Sequence, residues 1–445
     1  MTRRFAIATV TVNQRYSWYV VLLLALLSIV SYADRLILGI LVDPVKAELQ
    51  ISDTQMGFLL GLSFALVYAT LALFLAGYAD RHNRRNLIVA GVFVWSAMTS
   101  ASAFANGFWQ LAFCRLGVGL GEAALGPAAL SMISDLFSKE RRHTPISVFL
   151  AAGVVGGSSA FIIGGGVVMF VSQIPSIALP VIGELAPWRL VFLCMGVPGI
   201  VLGAFLLLTV REPERSSVAK DPSVKNASIG EVLRHIVSRR SQYLPTFGGI
   251  LFVQMMVYAV ATWYATVLIR NYELSIPNAG FAFGIIGLVF GTSGAILGPT
   301  IVSVLERNGR DDALLFVGVI AVAIATPATV FSPVAPTVAA SLIAMAVVMF
   351  SLSAASALAP LLPQLIAPNA MRARVTATYF FVANSIGLGL TPVIVGIVND
   401  TGVLGVSGID QALALVAATL LPASLAILWI GRRTCLRLQQ QKDIG

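Results

Sequence analysis

Four ionisable residues lie inside long apolar runs of this chain: Asp34, Arg35, Arg115 and Glu122. A charge in hydrocarbon costs at least ~2.5 to 3.5 kcal/mol on insertion scales, so such groups face a cavity or a partner and mark a working site. The run holding Asp34 ends near Leu41, which sets Asp34 about 10 Å below that end at a rise of about 1.5 Å per residue. By the same arithmetic Arg115 lies at about the same depth in the run that starts near Phe108, so an Asp34–Arg115 ion pair is geometrically possible. Glu122 stands two helical turns beyond Arg115, on nearly the same face and about 10 Å deeper. A carboxyl at that depth is caught between desolvation, which favours its neutral form, and a nearby arginine, which favours the charged one. Such a group can load and release a proton, and a neighbouring guanidinium can receive an anionic head. The expected roles are proton carrier for Glu122 or Asp34 and anion receptor for Arg35 or Arg115.

The elements that must position these residues follow from composition. Of 445 residues 58% are apolar and 11% charged, and the mean hydropathy is +0.88. A soluble protein of this size could not keep so little charge on its surface, so the bilayer is the main solvent. Apolar runs near 18–41, 55–78, 87–105, 108–133, 145–171 and 188–210, then 244–269, 279–304, 313–331, 337–361, 375–398 and 411–430, predict an all-α integral membrane protein of twelve spans. The polar stretch 211–243, with Lys220, Lys225, Arg234, Arg239 and Arg240, divides the chain into a six-helix half at 1–210 and another at 244–445. Of the 29 Lys and Arg, 24 fall on one side of this arrangement, and Lys46, Arg189 and Arg270 are the three on the other. The positive-inside rule then puts both termini and the linker in the cytoplasm. The first run lacks a small-residue cleavage site behind it and reads as an anchor that stays.

The same sorting makes the net charge of +9 a topology signal rather than a nucleic-acid footprint. Cys114, Cys194 and Cys435 have no metal-ligand spacing and make no disulfide framework. His82, His143 and His235 fall in loops, none beside a recognisable nucleophile. No enzyme, metal or cofactor is expected. ATP-driven transport would need a nucleotide domain elsewhere, because the linker is the largest cytoplasmic segment.

A weak repeat relates the halves. Gly77, Tyr78, Ala79, Asp80, Arg81, His82, Asn83, Arg84 and Arg85 follow span 2, and Glu306, Arg307, Asn308, Gly309 and Arg310 follow span 8; an acid, an arginine, two residues and an arginine recur in both. The set Gly77, Asp80, Arg81, Arg84 and Arg85 resembles the cytoplasmic signature of the major facilitator superfamily, with Asn83 where that family usually has glycine. Ser31-Tyr32-Ala33-Asp34-Arg35-Leu36, the stretch from Arg115 to Ala123, Ser134-Asp135-Leu136-Phe137, Trp188-Arg189 and Arg211-Glu212-Pro213-Glu214-Arg215 further resemble Spinster-like transporters, whose animal members carry sphingosine phosphate and lysophospholipids. The resemblance implies two six-helix bundles around a central site, alternating access, and spans 1 and 4 together on the cavity wall.

Within that frame the second half offers Gln254, Tyr258, Trp263 and Tyr264 in span 7 and Ser351, Ser353 and Ser356 in span 10 as cavity residues amid apolar neighbours. A charged wall facing an apolar one suits an amphiphile. Gly153, Gly157, Ala160 and Gly164 in span 5, and Gly284, Gly287, Gly291, Gly294 and Gly298 in span 8, form small-residue stripes that let helix backbones approach closely between the bundles. Gly57 and Gly61 in span 2 and Gly387 and Thr391 in span 11 would make a second seam. Asp80 and its arginines are expected to latch the cytoplasmic face by capping span 11 near Arg374 and pairing with Arg141 or Arg142. The expected protein is a proton-coupled secondary transporter of the cell membrane, of bacterial inner-membrane type, monomeric, with membrane lipids and an amphiphilic anion such as a lysophospholipid as partners. The alternatives are a carrier of small organic acids or drugs and a non-transporting receptor.

Overall fold

The computed structural model describes residues 14–174, 178–179, 183–215, 229–368 and 371–443. The expected linker residues Lys220 and Lys225 and the N-terminal Arg3 and Arg4 lie outside them. Eleven described helices are long and apolar enough to cross a membrane: α1 (Gln14–Ile40), α2 (Asp53–Ala79), α4 (Phe108–Leu136), α5 (His143–Val171), α6 (Pro187–Thr209), α7 (Arg240–Tyr272), α8 (Ile276–Arg307), α9 (Ala313–Val334), α10 (Val338–Leu361), α11 (Arg374–Thr401) and α12 (Ile409–Thr434). The twelfth, α3 (Arg84–Ser102), is less apolar along its length. Its Ser96, Thr99 and Ser102 are turned fully inward, where lipid does not see them. Two two-residue strands, Ala178–Leu179 and Gly183–Glu184, pair in the connection between α5 and α6, and the fold is otherwise helical among the described residues.

Polar residues set the helix boundaries. Asn83 accepts the Asn86 N–H at 2.8 Å as the N-cap of α3, which accounts for an asparagine where the repeat has Gly309 in a left-handed turn at φ +80°. Fully buried Arg84 donates from Nε to Glu212 at 2.7 Å and from Nη1 to Ser131 Oγ at 3.0 Å and to Asp135. It thereby ties α3 to α4 and to the segment after α6. The second half repeats the device: Asp312, ahead of α9, takes Arg310 Nε at 2.8 Å and Arg432 of α12, with Arg310 stacked 3.4 Å over the Phe316 ring. At the other end Arg189 donates to Glu48 at 2.9 Å, Ala103 O at 2.7 Å and Asn106 at 3.1 Å.

The helices gather as two bundles of six. In the first, α1 packs on α5, α3 on α4 and α6, and α2 on α4; in the second, α12 packs on α7 and α9, and α10 on α8 and α9. The bundles meet through α5 with α8 and α2 with α11, in the halves farther from the basic loops. The basic-end half of α8 (Thr292–Arg307) and the helical segment Arg372–Ala383, with which α11 begins, make no comparable packing on the first bundle. The result is a wedge open at the basic end.

The seams are backbone against backbone. A Cβ on Gly57 would sit 2.3 Å from Pro392 O, one on Gly61 2.4 Å from Leu388 O, and one on Gly396 2.4 Å from Asp53 O. Between α5 and α8 a Cβ on Gly165 would meet Pro277 O at 2.9 Å and one on Gly284 would meet Ile162 N at 2.9 Å. The two stripes expected to line this seam divide instead. Gly284 and Gly287 do face α5, whereas Gly291, Gly294 and Gly298 face Ser353, Phe350 and Ala354 of α10 within their own bundle. A π-helical turn at Gly287–Gly291 adds residues to one turn and rotates everything after it off the first face. In α5, Gly153, Gly157 and Gly164 face Tyr32, Ile37 and Ile40 of α1, so they pack the first bundle internally. Gly387 likewise faces Gln254 and Tyr258 of α7 rather than α2. Similar π turns interrupt α2 at Phe58–Leu62 and α11 at Asn384–Leu390, placing one in three of the four seam helices.

Gly57→Ala is expected to lower the thermal stability of this state by roughly 1–3 kcal/mol, the usual range for overpacking, as read by scanning fluorimetry in detergent. An unchanged melting curve would mean that the seam gives way freely. Burial pushes the Asp312 carboxyl up, but Arg432 and Arg310 outweigh it and hold it below its ordinary value. Its stabilisation is therefore present at neutral pH and lost as the pH falls through that lowered value. Asp312→Asn should melt lower than wild type at pH 7, and the gap should narrow on acidification.

Candidate functional site

At mid-depth the wedge ends in a cavity of about 340 Å³. The first bundle lines it with Tyr32, Arg35, Gly157, Ser158 and Phe161, and the second with Gln254, Tyr258, Met349, Ser353 and Ser356. Among the described residues Arg35 is the one charged side chain on this lining. Its Nε and Nη2 both donate to Glu122 Oε2, the former at 3.1 Å. Its guanidinium carbon lies 4.8, 4.4 and 4.9 Å from the ring centroids of Tyr32, Phe64 and Tyr68. Three aromatic rings and a carboxylate thus hold the cation where water would otherwise have to.

Arg115 behaves differently. It is fully buried and donates to two backbone carbonyls of α1, Asp34 O at 3.2 Å and Arg35 O at 2.7 Å. Those carbonyls are open because the α-helical part of α1 stops at Leu36 and continues as a 3₁₀ turn, Ile37–Ile40, which leaves the last α-helical acceptors without N–H partners. The expected Asp34–Arg115 side-chain pair is therefore not made: Arg115 caps the helix that carries Asp34, and the ion pair forms between Arg35 and Glu122. Both Asp34 carboxyl oxygens and Glu122 Oε1 are buried, and the Trp95 indole N–H lies beside Asp34. Arg115 is fully buried and is not on the cavity lining, so in this state Arg35 is the guanidinium that faces the cavity.

The second wall is mixed. Gln254, Tyr258 and Ser353 reach the cavity as expected. The Gln254 amide oxygen accepts Ser356 Oγ–H at 2.5 Å, and Tyr258 OH donates to Asn384 at 3.0 Å. Trp263 and Tyr264 do not reach it. Trp263 donates to Pro392 O at 3.0 Å, and Tyr264 bonds Ser341 and Ser332, both with no exposed surface. They are one to two turns beyond Tyr258, where α7 has passed above the cavity into the closed half. Ser351 opens instead on an apolar groove on the outer face of α8, α9 and α10. Sequence reasoning passed over Tyr32, Phe64 and Tyr68. Tyr32 stands one turn before Arg35, and Phe64 and Tyr68 are one turn apart in α2, spacings that allow each to join one face.

The residues expected to latch the basic end are apart. Arg84 and Arg85 serve the first bundle internally, Arg85 N–H reaching Glu212 at 2.9 Å and its Nη1 reaching Val210 O at 3.2 Å. Gly77, Asp80 and Arg81 are exposed. Arg215 donates to the carbonyls of Ala79 at 3.0 Å, Asp80 and His82. Among the described residues no ion pair joins the Asp80 carboxylate to Arg141, Arg142 or Arg374. Arg374 belongs to the other bundle, across the wedge, so a latch that spans it has nothing to close on in this state.

Comparison with known proteins fits this architecture. The family model of the Major Facilitator Superfamily matches residues 24–392. An MFS-type efflux pump of Mycolicibacterium smegmatis is 27% identical over 94% of this chain and 92% of its own. Protein spinster of Drosophila melanogaster is 27% identical over 66% of this chain and 47% of its own length. The crystal structure of a bacterial homologue of the human lysosomal transporter Spinster, in an inward-facing and unoccupied conformation, superposes with a TM-score of 0.76 at 25% identity, covering 96% of this chain and 99% of that one. With twelve helices in two bundles around a mid-membrane cavity, the chain belongs to the Major Facilitator Superfamily of transporters and is similar within it to the Spinster proteins.

Proposed function

We propose that this protein is a proton-coupled secondary transporter that moves an organic or amphiphilic anion by alternating access, and that its basic end is cytoplasmic, which makes this state inward-open. One observation carries the reading: Arg35, the one charged side chain on the cavity lining among the described residues, is already held from behind by Glu122. An anion approaching from the cavity competes with Glu122 for the same guanidinium. A proton on Glu122 ends that competition, so proton and anion load together, which is the coupling of a symporter. Of the two carboxyls considered for the proton, Glu122 is the one in contact with the substrate-facing arginine. Asp34 is off the cavity lining and makes no hydrogen bond to Arg35, with Glu122 and Arg115 as its charged neighbours.

The cavity size bears on substrate class. About 340 Å³ lies at the low end of ligand pockets, which run from about 300 to 1,000 Å³. A small organic anion fits inside, whereas a long-chain lysophospholipid would leave its tail in the open wedge. The apolar lining beside Arg35 favours an anion with an apolar body over a sugar. Export of small organic compounds or drugs is the second reading, favoured by the near full-length similarity to the mycobacterial efflux pump. One chain supplies both walls of the cavity, which supports a monomer as the working unit, with bilayer lipid as its solvent.

Purified protein in liposomes, with an imposed pH gradient and small carboxylates or lysophospholipids as test substrates, tests the reading. Glu122→Gln should abolish gradient-driven accumulation while downhill exchange continues. Loss in Asp34→Asn alone would move the proton to Asp34, and accumulation intact in both variants would end the coupling proposal. Binding without flux in the wild type would make the protein a receptor. In a Glu122→Gln background, which strands no carboxylate, Arg35→Gln should weaken anion binding by roughly 10- to 100-fold, the value of a hydrogen bond to a charged group. This would be read as the loss of the ligand-induced melting shift.

A further inference from the structure

The described part of the linker includes one helix, Ile229–Ser238, that carries more apolar surface than its own contacts cover. Val232 is fully buried and Ile236 half-buried, against Tyr243 of α7 and against Ala367, Met371 and Val375 around the start of α11. Beside that contact Leu233 and Val237, one turn apart, are 48% and 64% exposed. The remaining face is polar. Arg234 is exposed, and the corner that follows the helix adds exposed Arg239 and Arg240. Glu231, the one acid of the helix, stands in its first turn, where the helix dipole favours it. An apolar strip edged by arginines suits the boundary between acyl chains and headgroups.

Chain geometry says what covers that strip. The 33 residues of α7 reach about 50 Å at a rise of about 1.5 Å per residue, whereas a bilayer with its headgroups is about 40–45 Å thick. The Arg240 end of α7 therefore stands at the headgroup surface. A single residue, Arg239, at φ −110° and ψ 29°, separates the two helices and turns the chain there. Tied to α7 by that residue and to the start of α11 by Val232, the linker helix cannot leave the level of the headgroups without losing its packing. Leu244, one turn into α7, is 65% exposed as well.

We propose that this helix is a binding site for acidic phospholipid, with Leu233 and Val237 at the acyl-chain boundary and Arg234, Arg239 and Arg240 on the headgroups. Guanidinium and phosphate pair through two parallel hydrogen bonds, and each arginine beside an anionic membrane surface gains about fivefold in affinity. Because the other face of the helix rests on α7 and α11, a lipid held here bears on the basic-end part of the second bundle, which stands away from the first. The site does not depend on what the cavity carries.

Fluorescence quenching in nanodiscs tests it. In a Cys114→Ser, Cys194→Ser, Cys435→Ser background, Val237→Cys carries a bimane. The discs are phosphatidylcholine with a minor share of either phosphatidylglycerol or phosphatidylcholine bearing a nitroxide on its acyl chain. Both lipids should quench, with phosphatidylglycerol preferred by about fivefold or more at low salt and the preference shrinking at high salt. Arg234→Gln, Arg239→Gln and Arg240→Gln together should remove the preference and leave the quenching by phosphatidylcholine. Lys139→Gln with Arg307→Gln, exposed elsewhere at the basic end, should leave the preference unchanged. Leu233→Cys supplies a second label position if Val237→Cys unsettles the helix. Quenching by neither lipid at either position would overturn the membrane contact. Equal quenching by both lipids with the three arginines in place would overturn the acidic-lipid site. A preference lost equally with Lys139→Gln and Arg307→Gln would trace it to the overall potential of the basic end and overturn the assignment to this helix.

Discussion

A guanidinium in a low-dielectric interior must be met by a carboxylate or by open carbonyl groups, and the first bundle is organised around meeting two of them in those two ways. Arg35 is met by Glu122 and a ring of three aromatic side chains. Arg115 is met by the carbonyls that α1 releases where it tightens from α to 3₁₀ geometry. Both solutions join α1 to α4, and the aromatic ring brings in α2. Removing one partner of such an arrangement leaves a buried charge and costs roughly 3–5 kcal/mol, so the positions of these helices are tightly coupled to one another. The second bundle has no comparable commitment near the cavity. Its wall is held by neutral hydrogen bonds such as Tyr258 to Asn384, which can be exchanged for contacts with a ligand at little electrostatic cost.

How much of this was legible in the sequence depends on what kind of partner each residue has. Charged residues in apolar runs announce themselves, so Asp34, Arg35, Arg115 and Glu122 could be named as one site before any fold was known. Their pairing could not, because the partner of Arg115 is main chain, and nothing in the residue types marks where α1 changes its helical form. All twelve spans were visible as apolar runs, α3 among them, although its inward serines and threonine weaken its signal. The glycine stripes were visible too, but a fixed helical period carries a face straight through a segment that the π turn in α8 rotates. Trp263 and Tyr264 misled for a related reason: type and spacing show that they share a helix with Tyr258 and say nothing of the depth at which the cavity stops.

The basic and outer ends use similar groups to different effect. At the basic end the well-formed ion clusters, Arg84 with Asp135 and Glu212 and Asp312 with Arg310 and Arg432, lie within single bundles. They stiffen each half and remain intact however the halves are disposed. At the outer end Arg270, Asn399 and Asp400 reach from one bundle to the other. The few Lys and Arg on that side are sparse by the topology rule and yet all engaged. Their placement reflects what they hold together.

The seam between α2 and α11 has a consequence for how such a chain can diverge. Gly57 and Gly61 press against the main-chain oxygens of Pro392 and Leu388, so the contact is made by atoms that every residue type shares. Side chains elsewhere on these helices can drift without eroding it, and no compensating change in the partner is needed when they do. The constraint falls on a few positions that must stay without a side chain. A surface of that kind can be inherited across very different cargoes, because its fit is independent of the residues that choose them.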